Sequence, residues 1–354
     1  MRQSRKLDHL KYAIKLGDGP ADNRFSDFSL IHNCLPDVNT TNVDLSTTVA
    51  GIRLKHPVIF NAITGGAENV THINRQLAEA ARATCSAMAV GSQYAGLELP
   101  ELQSSYKVVR QVYPDGVLLA NIGAHVTPDQ ALAAIDMIEA QALQIHLNAA
   151  QELTMAEGDR NFSGYLRNIE RIVSKVPVPV IVKEVGCGIA AEQAAALSQT
   201  GIQAIDVGGS GGTNFIAIEA ARLNRHINED LLLWGTPTAI SAVEVKSVLP
   251  DTMDMIVSGG IRTSLEAVKA IVLGGASIAI ATPLLKLLEQ QGTNAIIDWF
   301  DSFLNEIKAF MLLTGAANIP ALKQVPIVIT GFSREWLLAR GIDILIYARR
   351  SKHG

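Results

Sequence analysis

Eight short apolar runs recur along this chain, each closing on small or polar residues, and they constrain its fold more than any other feature. They lie at 58–63, 87–90, 117–122, 143–147, 180–183, 204–207, 255–257 and 277–281. Segments of helical period separate them, at 74–83, 128–140, 190–198 and 264–273. Unbroken apolar strands that alternate with helices imply a parallel sheet buried on both faces. Eight of them predict an α/β fold, a (β/α)8 TIM barrel. The long interval between 207 and 255 holds a further strand-like run, 231–234. We read it as one βα unit with an inserted loop at 208–230; the rival count makes 231–234 a barrel strand. A doubly wound open sheet is the main alternative. Its expected Gly-x-Gly-x-x-Gly is missing, since the first strand ends in Ala62-Ile-Thr-Gly-Gly-Ala67.

The 354 residues are read as a single barrel domain, with the barrel over 55–290, an N-terminal extension over 1–50 and a C-terminal helical region over 291–354. Ser4 is the expected cap of a helix over 5–16, closed by Gly17. A strand-like patch at 342–347 and a frayed polar tail at 349–354 complete the expectation.

Composition excludes several classes. Hydrophobic residues make up 48% and charged residues 18%, which rules out a disordered or coiled-coil chain. With 30 Lys+Arg against 34 Asp+Glu the net charge is -4, so no general nucleic-acid surface is expected. Three scattered cysteines form neither a zinc spacing nor a disulfide framework. The N-terminus carries no apolar signal region. The uncharged stretch between Lys269 and Lys286 is shorter than the roughly 20 residues that span a bilayer. The expectation is a soluble, cytoplasmic protein with no membrane partner.

In barrels the chemistry sits where the strands end. Here all eight ends are polar or glycine-rich: Thr64-Gly-Gly66, Gly91-Ser-Gln-Tyr94, Asn121-Ile-Gly123, His146-Leu-Asn148, Lys183-Glu-Val-Gly186, Asp206 to Thr213, Ser258-Gly-Gly-Ile-Arg262 and Ile280-Ala-Thr282. That convergence argues for an active site. The Ser258–Arg262 glycines before a helix are built to bring backbone N–H groups to a phosphate, although a tight turn uses the same residues. Gly208 to Thr213 is a second phosphate contact or a lid. Lys183 closes an apolar strand, where a buried lysine suits an anionic group such as a flavin N1–C2=O edge or an enolate; an ion pair with Glu184 or Asp206 is the plainer reading. Glu152, Glu157 and Asp159 are oxygen donors of the kind Mg²⁺ prefers, or merely exposed loop carboxylates. His146 reads equally as a satisfied core histidine. Arg5, Lys6 and His9 form a cationic face at the start of the first helix, an anion clamp or a solvated charge run.

Taken together these blocks resemble the type 2, FMN-dependent isopentenyl-diphosphate Δ-isomerases. The matching elements are Arg5-Lys-x-x-His9, Ala62-x-Thr-Gly-Gly66, Gly91-Ser-Gln93, His146-Leu-Asn-x-x-Gln-Glu152, Glu157-Gly-Asp-Arg-x-Phe162, Lys183-Glu-Val-Gly186, Asp206-x-Gly-Gly-x-Gly-Gly-Thr213, Trp234-Gly-x-Pro-Thr238 and Ser258-Gly-Gly-Ile-Arg262. The resemblance covers roughly residues 5–285. It implies interconversion of isopentenyl and dimethylallyl diphosphate, with FMN reduced by NADPH, with Mg²⁺, and in a homo-oligomer (tetramer or octamer). By position it implies that Ala62, Thr64, Ser92, Asn121, Lys183, Thr213, Gly259, Gly260, Ile280 and Ala281 contact FMN. Arg5, Lys6, His9, Ser92, Gln93, His146, Asn148 and Gln151 would surround the prenyl diphosphate, and Glu152 would bind Mg²⁺. Gln151, Lys183 and His146 are the residues assigned to catalysis. Two departures stand out: Tyr94 where the family usually has Arg, and Ala156 where it usually has Pro. The competing readings are an FMN-dependent oxidoreductase of the 2-hydroxy-acid oxidase type and a non-catalytic phosphate-binding barrel. The oxidase would need a histidine and an arginine late in the barrel; Arg262 is present with no histidine beside it.

Overall fold

The fold was derived from a computed structural model, which describes the backbone of residues 2–350 and the side chains of residues 6–350. The described residues form twelve strands: β1 (Phe28–Leu30), β2 (Thr47–Val49), β3 (Ile52–Leu54), β4 (Val58–Phe60), β5 (Ala87–Ala89), β6 (Leu118–Gly123), β7 (Ala142–Leu147), β8 (Val180–Glu184), β9 (Ala204–Asp206), β10 (Asp254–Ser258), β11 (Ser277–Ile280) and β12 (Ile327–Ile329). β4 to β11 close into an eight-stranded barrel whose neighbours all pair in parallel. The eight apolar runs are therefore the eight barrel strands. They are apolar on both faces because one face meets the helices and the other meets the barrel's own interior.

The two faces differ in size and polarity. Outward residues such as Val58, Phe60, Met88, Leu118 and Val182 join the main core with the surrounding helices. Inward residues at one end of the barrel are small or aliphatic: Ile59, Ala87, Leu119, Ala142, Ile181, Ala204 and Ile256. The β2–β3 hairpin packs its Val49 and Leu54 into this cluster and closes that end. Two residues further along, the same inward rows become polar. Asn61, Asn121, Gln144, Lys183, Asp206 and Ser258 are all buried there. A period of two thus carries six of the eight strands from an apolar plug to a polar floor, while β5 and β11 keep Ala89 and Ala279 in the apolar cluster. The floor is hydrogen-bonded: Asn61 Nδ2 donates to Asp206 Oδ2 at 3.1 Å, Ser258 Oγ to Asp206 Oδ1 at 2.5 Å, and Gln144 Nε2 to Asn61 Oδ1 at 3.3 Å.

Local signals place the helices. Thr263 and Glu266 form a capping box at Ser264–Val272, and Thr127 with Gln130 forms another at Pro128–Ile138. The N-terminal helix runs Arg2–Leu16, so Ser4 lies inside it and is not its cap; Gly17 ends it in the left-handed region at φ 70°. The run at 231–234 is not a strand. Residues Glu229–Leu232 form a short helix, and the segment after β9 also holds the helix Phe215–Arg222. The patch at 342–347 is likewise not a strand, since Leu345–Ala348 is helical. The strand of that region is β12, which pairs antiparallel with β1 and ties the two flanking regions together. Arg350 is anchored, its guanidinium donating to the Val272 carbonyl and lying over the Tyr347 ring. The rest of the expected frayed tail, 351–354, lies outside the described residues. Among the described residues no helix is long and apolar enough to cross a membrane.

Candidate active site

A cavity of about 240 Å³ opens at the polar end of the barrel. It is lined by residues from every strand end, among them Ala62 and Thr64 after β4, Ser92 after β5, Asn121 on β6, His146 and Asn148 on and after β7, and Lys183 on β8. Thr213, Gly259, Gly260, Ile280 and Ala281 line it from the last three loops. Lys6 and His9 of the N-terminal helix, and Gln151 and Glu152 of the short helix Ala149–Thr154, complete the wall. The structure thus gathers nearly all the expected site residues around one space.

Two expected residues are not among them. Arg5 has its side chain outside the described residues. Gln93 is fully buried but does not line the cavity: its Nε2 donates to the Ala134 carbonyl at 2.8 Å and its Oε1 accepts the Asn121 N–H at 2.9 Å. It fastens the loop after β5 to β6, so its place as a substrate contact is corrected to a structural one. Tyr94, its neighbour, does reach the cavity, with its ring edge-on to His125 at 5.1 Å.

Two glycine loops shape one wall. A Cβ on Gly260 would overlap the carbonyl oxygen of Gly211, one on Gly259 that of Gly209, and one on Gly212 the amide of Gly260. The glycines after β9 and β10 therefore nest backbone against backbone, a close approach that only glycine permits. Among the described residues none accepts a hydrogen bond from the N–H groups of Gly259, Gly260 or Ala281. These donors stand beside the N-terminus of the helix Thr282–Gln291. Thr64 Oγ1 is buried without a partner. Unpaired donors and a buried orphan hydroxyl around a cavity fit a phosphate-bearing polar cofactor.

Lys183 is 6% exposed, and its Nζ donates to the Glu184 carbonyl at 2.7 Å. No carboxylate of a described residue pairs with it. The expected alternative partners are engaged elsewhere: Asp206 in the polar floor, and Glu184 in a nest. One oxygen of Glu184 accepts the N–H groups of Val185, Gly186, Cys187 and Gly188 at 2.5–3.2 Å. Burial pushes this carboxyl up to about 7 against the pull of those donors and of Lys183.

His146 donates from Nδ1 to Asn121 Oδ1 at 2.7 Å. Burial first, and then the charges of Lys183 and Lys6, bring it down to about 3. It is therefore a neutral imidazole with Nε2 free of a proton.

Glu152 accepts from Asn148 Nδ2 at 2.9 Å and from the Asp159 N–H at 2.9 Å. Arg160 folds this loop, donating to the carbonyls of Met155, Gly158 and Glu152 at 2.6–2.7 Å. Gly158 has no room for a Cβ against the Glu152 backbone. The Glu157-Gly-Asp-Arg block thus serves to aim Glu152. Glu157 itself is held by Arg222 at 2.7 and 2.9 Å, away from any metal role. No group of three or more ligating residues is present among the described residues. A single carboxylate nonetheless fits Mg²⁺, which keeps waters and takes substrate phosphate oxygens for the rest of its shell.

One residue that the sequence did not single out belongs here. Glu219 lies in the helix Phe215–Arg222 and is fully buried. It accepts from His9 Nε2 at 2.7 Å, Gln151 Nε2 at 3.1 Å and Arg222 Nε at 2.7 Å. A carboxylate amid the apolar run Phe215-Ile-Ala-Ile-Glu-Ala-Ala221 was the available signal.

Comparisons with known proteins agree with this geometry. The family profile described as FMN-dependent dehydrogenase matches residues 121–328. The isopentenyl-diphosphate delta-isomerase of Symbiobacterium thermophilum is 45% identical over 99% of both chains. That of a Geobacillus species is 44% identical, again over 99% of both. Among solved structures a lactate oxidase of Pediococcus acidilactici superposes with a TM-score of 0.70 at 17% identity, covering 94% of this chain and 93% of that one. A mandelate oxidase gives 0.65 at 15%, covering 92% and 97%; at such identities the likeness is one of fold. With its flavin-type barrel, glycine cradle and full-length kinship, this chain belongs to the isopentenyl-diphosphate delta-isomerases, in their FMN-dependent type 2 form.

Proposed function

We propose that this chain interconverts isopentenyl and dimethylallyl diphosphate, holding FMN at the glycine cradle and a Mg²⁺ ion at Glu152, with NADPH as the reductant that readies the flavin. The observation that carries the reading is the shared cavity. Lys6 and His9, Glu152, Lys183 and the glycine loops all face one space. That set suits a substrate with a diphosphate at one end and a small hydrocarbon at the other.

The reaction adds a proton at C4, removes one at C2 and shifts the double bond, with no net redox change. Bound reduced flavin supplies the acid and base, because no ordinary side chain readily protonates an unactivated alkene. The protein's residues do the rest. Lys183 stabilises negative charge on the cofactor's polar edge. Gly259, Gly260 and Ala281 offer N–H groups to its phosphate. Lys6 and His9, with the metal at Glu152, neutralise the diphosphate, whose binding energy holds the hydrocarbon in place. Neutral His146 and the amides of Asn148 and Gln151 orient the reacting end without adding charge. The proposal places this activity in a homo-oligomer in the cytoplasm.

The test is incubation of the purified flavoprotein with isopentenyl diphosphate, Mg²⁺ and NADPH under nitrogen. Dimethylallyl diphosphate is expected, without stoichiometric loss of NADPH. Steady NADPH consumption with no isomer would move the protein to the oxidoreductases. That outcome is disfavoured by Arg262, whose guanidinium is paired with Asp18.

A further inference from the structure

We infer that Glu219 is a positioning residue for this site, docking the N-terminal helix through His9 and turning the carboxamide of Gln151 so that its carbonyl oxygen faces the cavity. The inference rests on the function proposed above for what Gln151 and His9 touch, but its geometry stands apart from it.

A fully buried carboxylate is costly unless its oxygens are satisfied. Both oxygens of Glu219 are satisfied, one by His9 and Gln151 and the other by Arg222. Arg222 is in turn fixed by the two oxygens of Glu157. The helix Phe215–Arg222 packs against both the N-terminal helix and Ala149–Thr154, so Glu219 sits where two separate walls of the cavity meet. Burial raises the group, yet the donors from His9, Gln151 and Arg222 outweigh burial and hold it at about 2. It therefore stays a carboxylate and has no proton to offer. Gln151 can face it only with its NH₂. The Gln151 Oε1 is thereby turned away, 3.4 Å from Asn148 Nδ2, and both residues line the cavity. His9 is fixed by the same oxygen, so the imidazole of one wall and the amide of the other share one anchor.

The experiment uses the purified flavoprotein carrying Glu219→Gln, which keeps the shape but places an NH₂ where an acceptor is needed. Amide hydrogen exchange over residues 2–16 is expected to rise roughly tenfold or more. Turnover is expected to fall about 10²-fold, with flavin absorbance unchanged. The double variant Glu219→Gln/Gln151→Ala is expected to lose less kcat than the product of the two single losses, because one of the two arms of Glu219 runs through Gln151. Independent, multiplicative losses with a uniform rise in exchange would reduce Glu219 to a structural residue and overturn the inference. If Glu219→Gln does not fold, His9→Gln tests the helix arm: faster exchange confined to 2–16 supports the anchor, and unchanged exchange sinks it. Exchange needs no turnover, so a wild-type protein that fails to isomerise would end the proposed function and leave the anchor decided on its own.

Discussion

His146 Nδ1 donates to Asn121 Oδ1 at 2.7 Å, joining two neighbouring barrel strands directly beneath the cavity. This bond fixes the tautomer, and burial beside Lys183 and Lys6 keeps the ring neutral down to about pH 3. In the unfolded chain the same ring takes a proton near 6.5. Between these values the unfolded state binds the extra proton, so His146 makes stability fall as pH drops from about 6.5, by up to about 1.4 kcal/mol per pH unit. Glu184, raised to about 7, titrates in the opposing sense. The prediction is therefore a difference: His146→Asn should lose less Tm between pH 7 and pH 5 than the wild type. Parallel melting curves would show that His146 is not the neutral group described.

Lys183→Ala should loosen the flavin. Removing a buried cation that we propose lies at the cofactor's edge costs about 1.5–3 kcal/mol, roughly tenfold or more in flavin Kd. Visible absorbance after gel filtration and a flavin titration measure it. A variant that retains its full yellow colour would mean Lys183 serves only to brace the Glu184 carbonyl.

Glu152→Gln should keep the flavin and lose the metal-dependent reaction. Gln can still accept from one of the two donors, Asn148 Nδ2 or the Asp159 N–H, and Arg160 still holds the loop through the Glu152 carbonyl, so the change removes the charge and one acceptor. Turnover should fall at least about 10²-fold and no longer rise with added Mg²⁺. A normal Mg²⁺ titration in the variant would remove Glu152 from the metal.

Gly260→Ala should destabilise the fold and release the flavin together. Its φ of 73° strains any side chain, and the added Cβ would meet the carbonyl of Gly211. Strain and overpacking each contribute about 1–3 kcal/mol. Gly292→Ala is the control: at φ 83° with nothing within 4 Å, it carries the backbone strain alone. Equal Tm losses in the two variants would deny the nested loops their role.

Much of this molecule was legible in its residues because a parallel barrel writes each strand as one apolar run. The polar strand ends were legible for the same reason: a run that stops at Lys183 or His146 has nowhere to put that side chain except the floor or the rim. Other features were not, three of them instructive. The run 231–234 has strand-like composition, yet Asn228 caps a helix there by accepting the Asp230 N–H. Gln93 carries the right chemistry in the right loop, but its orientation is set by the Asn121 amide and the Ala134 carbonyl, which no local pattern reveals. Glu219 lies mid-helix with no motif around it, and only tertiary packing shows that three donors converge on it.

The anchor between His9 and Glu219 spans 210 positions of the chain. During synthesis the N-terminal helix emerges long before its partner, and β1 likewise waits for β12. Closing contacts so distant in sequence is slow. The ribosome must therefore deliver most of the barrel before the pocket gains its cationic side, so a nascent chain has no complete grip on substrate until its final third has been made.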